Sequence, residues 1–266
     1  MSTDGLVARF ASLFAGDSEP PLDAVVATIA GLDPAAPLPE VILAELDHLA
    51  AEVPPADPAD DRVDGLLRHL FGTVGFAGAT TTYYDPDNSY LHRVLERRRG
   101  IPISLAVVVI EVGRRLGIEL SGVGMPGHFL VGDGVRPERW FDPFAGGRML
   151  TRAGCRALFA RIHEGAELDD DWLQPVGTID IANRMLQNLR LIHLRAGDPA
   201  QLIPVLQLRA ELPVSTLGDQ VELANVLARM GRHEAAGVQR ERLARLDPAQ
   251  AATHLRAASL HRASRN

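Results

Sequence analysis

The chain has 266 residues, 46% hydrophobic and 23% charged, which is the make-up of a folded protein with apolar material for one large domain or two smaller ones. A formal net charge of -7 and a pI near 5.7 give no global pull toward nucleic acid or an anionic membrane. Lysine is absent and Cys155 is the single cysteine, which excludes Schiff-base chemistry, a P-loop lysine, an internal disulfide and a multi-cysteine metal site, and fits a reducing cytoplasm.

The opening stretch MSTDGLVARFASLFAG has no basic segment ahead of its apolar residues and does not read as a signal peptide. From residue 1 to about 74 the apolar spacing is helical. Leu6, Phe10, Leu13 and Phe14 mark one helix, and Leu22, Val25, Val26 and Ile29 a second. Breaks rich in Pro and Asp set off a third at Pro39–Glu52 and a fourth at Asp60–Val74.

Residues 75–90 are polar and turn-rich, and DPDNS offers Asn88 or Ser89 as the N-cap of a helix carrying Leu91, Val94 and Leu95. Arg97, Arg98 and Arg99 close that helix against its negative dipole end, with Gly100 as the left-handed residue beyond it. Pro102 suits the first turn of the next helix, Ile103 to Leu116. That helix is apolar on almost every side until Glu111, so it should be buried, and Gly117 ends it. The longest apolar run, Ile101 to Ile110, is too short to span a bilayer. Ser104 falls in the helix's first turn, where free N–H groups and the positive dipole end favour a developing negative charge.

After Gly117 the period changes to two. IELSGVG and HFLVG read as strands around an MPG turn, and a third strand follows near Arg139 to Phe141. A hairpin turn centred on Val135 sets His128 directly opposite Asp142 on one face of the sheet. Ser104, His128 and Asp142 thus have the residue types of a nucleophile, a base and the carboxylate that orients it. GVGMPG has the glycine spacing of a dinucleotide site, but a strand follows its last glycine where that site needs a helix. The nine histidines show no paired ligand spacing, so neither a metal nor a cofactor is expected. Cys155 reads as a packed residue of a helix around Thr151 to Glu164, and Tyr83, Tyr84, Asn88 and Arg99 position the buried helix or line a groove beside it.

From about Gly177 the chain is helical again. RAGD at Arg195 recurs as RMGR at Arg229, a separation of 34 residues that matches tetratricopeptide helix pairs. The pairs are Asp180–Leu194 with Pro199–Glu211 and Leu217–Met230 with His233–Leu246, followed by a single helix from Pro248 to about Ala263.

The segments RRGIPIS, PGHF and FDPF, in this order and followed by helical repeats, resemble the SirB-type branch of the transglutaminase-like superfamily over roughly residues 60–265. The resemblance implies an α+β chain with a papain/transglutaminase-like core at 75–175, a central helix on a small antiparallel sheet. N-terminal helices at 1–74 and α-helical repeats at 176–266 flank it. It also implies that the nucleophile, histidine and aspartate fall on Ser104, His128 and Asp142. The chain departs from active members at the first of these, serine for cysteine, and a hydroxyl needs stronger general-base help than a thiol. Two readings follow. One is a cytoplasmic binding or regulatory scaffold with weak or no catalysis, holding a protein or peptide across the core groove and the repeats, with no role for nucleic acid or membrane. The other is a hydrolase or acyltransferase acting on amide or ester bonds through an acyl-Ser104 intermediate. The serine tips the balance toward the scaffold.

Overall fold

Apolar residues three and four apart make the first four helices, and a computed structural model describes them within residues 2–55 and 61–263. They are α1 (Thr3–Leu13), α2 (Leu22–Ala30), α3 (Pro39–Ala51) and α4 (Arg62–Leu67), the last running on as a π-helical turn to Thr73. Asp61 caps α4 by accepting from Val63 N at 3.0 Å. The expected start of this helix, Asp60, lies outside the described residues. β1 (Ala77–Gly78) follows, then α5 (Leu91–Arg97), β2 (Arg99–Gly100) and α6 (Pro102–Arg115). Next come β3 (Leu120–Val123), β4 (Leu130–Asp133), β5 (Trp140–Asp142), β6 (Arg148–Leu150), α7 (Arg152–Ile162) and β7 (Pro175–Val176). The rest is helical: α8 (Thr178–Ala196), α9 (Pro199–Ala210), α10 (Leu217–Arg229), α11 (His233–Leu246) and α12 (Ala251–Ala263). Among the described residues no helix is long and apolar enough to cross a membrane.

The chain divides into two compact units, Ser18–Met185 and Met1–Asp17 with Leu186–Asn266. The sequence reading drew three segments, 1–74, 75–175 and 176–266. Helices α2 to α4 fall in one unit with the sheet, whereas α1 falls with the C-terminal helices.

In the first unit β6, β5, β4, β3 and β7 form one antiparallel sheet in that order, and β1 pairs with β2 in a separate parallel pair. Helix α6 packs on β3 and β4 and is buried from Pro102 through Gly113. A second cluster joins the sheet to α7 through Leu130, Trp140, Leu150, Cys155, Leu158 and Phe159. The hairpin register differs from the expected one by two residues. Val131 pairs with Phe141 and Gly132 with Trp140, so His128 is diagonal to Asp142 rather than opposite it. A shift of two leaves every side chain on its own face, which is why the two still meet.

The start of α6 also differs from expectation. Tyr90, not Asn88 or Ser89, stands at the N-cap of α5, and both of those residues are buried. The left-handed residue after α5 is Arg98, with φ 53°, rather than Gly100. That conformation costs a non-glycine residue roughly 1–2 kcal/mol. It is offset by the Arg98 guanidinium, which donates to Leu95 O, pairs with Glu45 at 3.2 Å and lies 5.1 Å from the centre of the Phe76 ring. Gly100 serves another purpose, because a Cβ there would sit 2.6 Å from Ser104 Oγ.

The second unit is helical, with α9 packed on α1 and α10, α10 on α11, and α11 on α12. Leu202, Leu206, Leu223, Val226, Leu227 and Ala236 share its core. The segments RAGD and RMGR share a backbone geometry. Gly197 and Gly231 both take positive φ, and Asp198 N donates to His193 O at 3.0 Å just as Arg232 N donates to Leu227 O at 2.9 Å.

Gly100→Ala forces a methyl group against Ser104 Oγ, Leu105 and Val94, and is expected to destabilise the protein by about 1–3 kcal/mol in urea unfolding. Adding Ser104→Ala should cost less in that background than in the wild type, since the methyl then has room.

Candidate functional site

His128 is placed by a turn. Met125, Pro126, Gly127 and His128 close it through His128 N donating to Met125 O at 3.0 Å, with Gly127 at φ 75°. Proline at the second position and glycine at the third are what such a turn requires. Two further contacts hold it: His163 Nε2 lies 2.9 Å from Pro126 O, and Arg184 Nη2 donates to Met125 O at 2.9 Å and to His128 O at 2.6 Å. The His128 ring is buried, with its Nε2 2.9 Å from Asp142 Oδ1 and its edge against Phe144 at 6.1 Å between centres. A carboxylate only accepts, so Nε2 donates its N–H to Asp142.

Asp142 ends β5 and does three things at once. Oδ1 accepts from His128, from Phe144 N at 3.1 Å and from Ala145 N at 3.2 Å. The same carboxylate thus orients the imidazole and folds the FDPF turn, whose Phe144 then packs on that imidazole.

Ser104 is fully buried at the third position of α6. Its Oγ accepts from Ile101 N at 3.0 Å and donates to Asn88 O at 2.6 Å. Among the described residues it makes no hydrogen bond to His128. The structure therefore brings His128 and Asp142 together and turns the Ser104 hydroxyl to another task, sealing the start of α6. The expected N-cap residue Asn88 belongs to that seal, with Nδ2 donating to Thr82 O at 2.6 Å. Cys155 sits wholly inside the cluster under α7, and burial, helped by the charge of Asp142, raises its thiol to about 11. Such a thiol is not a nucleophile near neutral pH. Among the described residues no three His, Cys, Asp or Glu side chains gather in a way that would hold a metal ion.

Phe144 and Arg184 touch the pair and were not among the residues picked from sequence. Phe144 had a local signal in the FDPF turn; Arg184 had none, being 56 residues beyond His128 in a helix assigned to the repeats.

The segment that builds this site, residues 40–187, matches the sequence profile of the Transglutaminase-like superfamily over more than half of the chain. The chain belongs to the transglutaminase-like superfamily. It is 43% identical over 157 residues to a UPF0162 protein of Xylella fastidiosa, covering 56% of this chain and 54% of that one. It is 36% identical over 166 residues to a UPF0162 protein of Pseudomonas aeruginosa, covering 60% of each. Human F-box only protein 21 is 31% identical over 180 residues, covering 64% of this chain and 28% of that protein. The chain thus spans about half the length of the bacterial relatives it matches. The transglutaminase-like segment holds Ser104, His128 and Asp142, while α9 to α12 lie beyond it.

Asp142→Ala strips the acceptor from one buried imidazole and two backbone N–H groups, and is expected to cost about 3–5 kcal/mol in chemical denaturation. Asp142→Asn keeps a carbonyl oxygen for the two N–H groups and should cost less. For Cys155 the folded thiol ionises near 11 and the reference thiol at 9.0. Between those values the unfolded chain releases a proton that the folded chain keeps, so stability falls as pH rises through this window. Cys155→Ala should remove that part of the slope in denaturation curves recorded from pH 8 to pH 11, a range of roughly the span over which a buried thiol titrates.

Proposed function

We propose that the transglutaminase-like domain is a binding and regulatory scaffold with weak or no catalysis, whose ligand is a protein or peptide segment held beside His128 and Asp142. The observation that carries this reading is the commitment of Ser104. Turning its hydroxyl toward a substrate would abandon Asn88 O and Ile101 N inside the protein. At about 1–3 kcal/mol for each stranded group, the loss is one to four orders of magnitude in rate before any chemistry begins. Cys155 offers no substitute nucleophile, since its thiol is raised to about 11. The human F-box relative adds support, because the similar segment makes up 28% of that protein and is there one part of a longer chain. The chain from 176 to 266, which we read as the tetratricopeptide-like repeats of a SirB-type member, supplies a second surface for protein contact.

A second reading draws on the His128 to Asp142 hydrogen bond of 2.9 Å, the geometry of a base and its orienting carboxylate. In it Ser104 attacks the carbonyl of an amide or ester and gives its proton to His128, the C–N or C–O bond breaks, the amine or alcohol leaves with that proton, and the acyl-Ser104 intermediate passes to water or an amine.

Labelling separates the two. A fluorophosphonate and iodoacetamide, applied to the native protein at pH 7.5 and read by mass spectrometry, are expected to leave Ser104 and Cys155 unmodified, since an occupied hydroxyl and a thiol of raised pKa resist both reagents at roughly neutral pH. Fluorophosphonate labelling that disappears in Ser104→Ala and persists in Cys155→Ala would establish the acyl-enzyme and overturn the scaffold.

A further inference from the structure

We propose that Arg184 is an anion-recognition residue of this site, and that the peptide held beside His128 presents a carboxylate to it. The inference rests on the reading of the domain as a peptide binder and specifies what that peptide must carry.

Arg184 stands in the second turn of α8 and is half-buried. Its Nη2 spans the turn that carries His128, donating to the carbonyls of Met125 and of His128 itself. A guanidinium has five N–H groups, so two are used and three remain without a partner among the described residues. The guanidinium lies 5.5 Å from the centre of the Phe129 ring, which supports one face, and the residue keeps part of its surface exposed.

What sets Arg184 apart from the other half-buried arginines of its unit is the absence of a carboxylate partner among the described residues. Arg93 pairs with Asp33, Arg98 with Glu45, Arg115 with Glu111 and Asp23, Arg139 with Asp61 and Asp64, and Arg152 with Glu138. Arg184 has no carboxylate partner among the described residues, in a chain whose net charge is -7. Burial accordingly pushes its pKa below the ordinary arginine range, with only the Tyr83 phenol acting against it. A cation taken out of water without an anion is held at a cost, which a ligand carboxylate would offset.

The surroundings suit a peptide. Tyr83 is 37% exposed and near enough to Arg184 to feel its charge, and it meets Phe144 edge-on at 6.0 Å. Phe144 in turn meets His128. Aromatic rings therefore run from His128 through Phe144 to Tyr83, with Tyr84, 59% exposed, extending them outward. The unused N–H groups of a guanidinium match the two oxygens and single charge of a carboxylate. The carboxylate belongs either to the end of a chain or to an Asp or Glu side chain.

Three peptides decide this in titrations of the 15N-labelled full chain, followed at the amides of Gly124 and His128 and at Arg184 Nε. They are acetyl-Ala-Phe-Ala with a free C-terminus, the same peptide as its C-terminal amide, and acetyl-Glu-Phe-Ala-amide. At least one charged peptide is expected to shift these signals with an affinity at least tenfold above the neutral amide, and Arg184→Gln should erase that preference. Arg184→Lys, which keeps the charge, should retain part of it, and it serves if the glutamine variant misfolds. Saturation by the free-acid peptide alone identifies a chain terminus, and saturation by the glutamate peptide alone identifies an acidic side chain. Equal affinity for the neutral amide, or charged peptides that bind without moving the His128 and Gly124 signals, overturns the role of Arg184 and leaves the peptide-binding reading standing. No shift with any of the three overturns that reading, and this inference with it.

Discussion

The first turn of α6 is buried, so its free N–H groups and the carbonyls around them cannot turn to water. Ser104 answers that constraint. Its hydroxyl accepts from Ile101 N and donates to Asn88 O, joining the helix start to the turn that precedes α5. Gly100 is held to a hydrogen side chain by the same closeness, and Asn88 is drawn inward to serve it. The residue that resembles a nucleophile by type and position therefore has its hydroxyl engaged in holding the fold.

The far end of the same helix obeys a related rule. Glu111 is almost fully buried, and burial together with nearby Asp23 raises its pKa. Arg114 at 2.9 Å and Arg115 at 2.8 Å neutralise it and tie it to Asp23 on α2. Helix α6 is thus fastened by hydrogen bonds at its start and by ion pairs at its end, with apolar packing between. Against that rigid element the sheet presents His128 and Asp142, each held by contacts that do not depend on a substrate: the Pro-Gly turn for one, the FDPF turn for the other. A preorganised pair of this kind serves recognition as readily as proton transfer. The committed hydroxyl of Ser104 and the raised thiol of Cys155 weigh toward recognition.

Much of this was legible in the chain. Helix α6 follows from an unbroken apolar run between Pro102 and Gly117, and β3 and β4 follow from a change of period to two. The turn before His128 is written in Pro126 and Gly127, and the paired helix ends in Gly197 and Gly231, because a positive φ has a residue-level signature. His128 and Asp142 are recognisable because strand parity survives the two-residue error in register. Strands β1, β2, β6 and β7 were missed, since two or three residues are too few to show a period and owe their conformation to a partner strand.

The sequence by itself determined the buried helix, the antiparallel strands, the turn chemistry and the residue types at positions 104, 128 and 142, since these rest on neighbours within a few residues. Only the tertiary structure decided where the Ser104 hydroxyl points, that Arg98 rather than Gly100 bears the left-handed turn, and that Arg184 lies against His128 with no carboxylate partner among the described residues. In each of these the partners are far apart in the chain: Asn88 for Ser104, Glu45 and Phe76 for Arg98, Met125 and His128 for Arg184. A side chain's direction is set by the hydrogen bonds and charges it meets after folding, and local spacing holds no record of them.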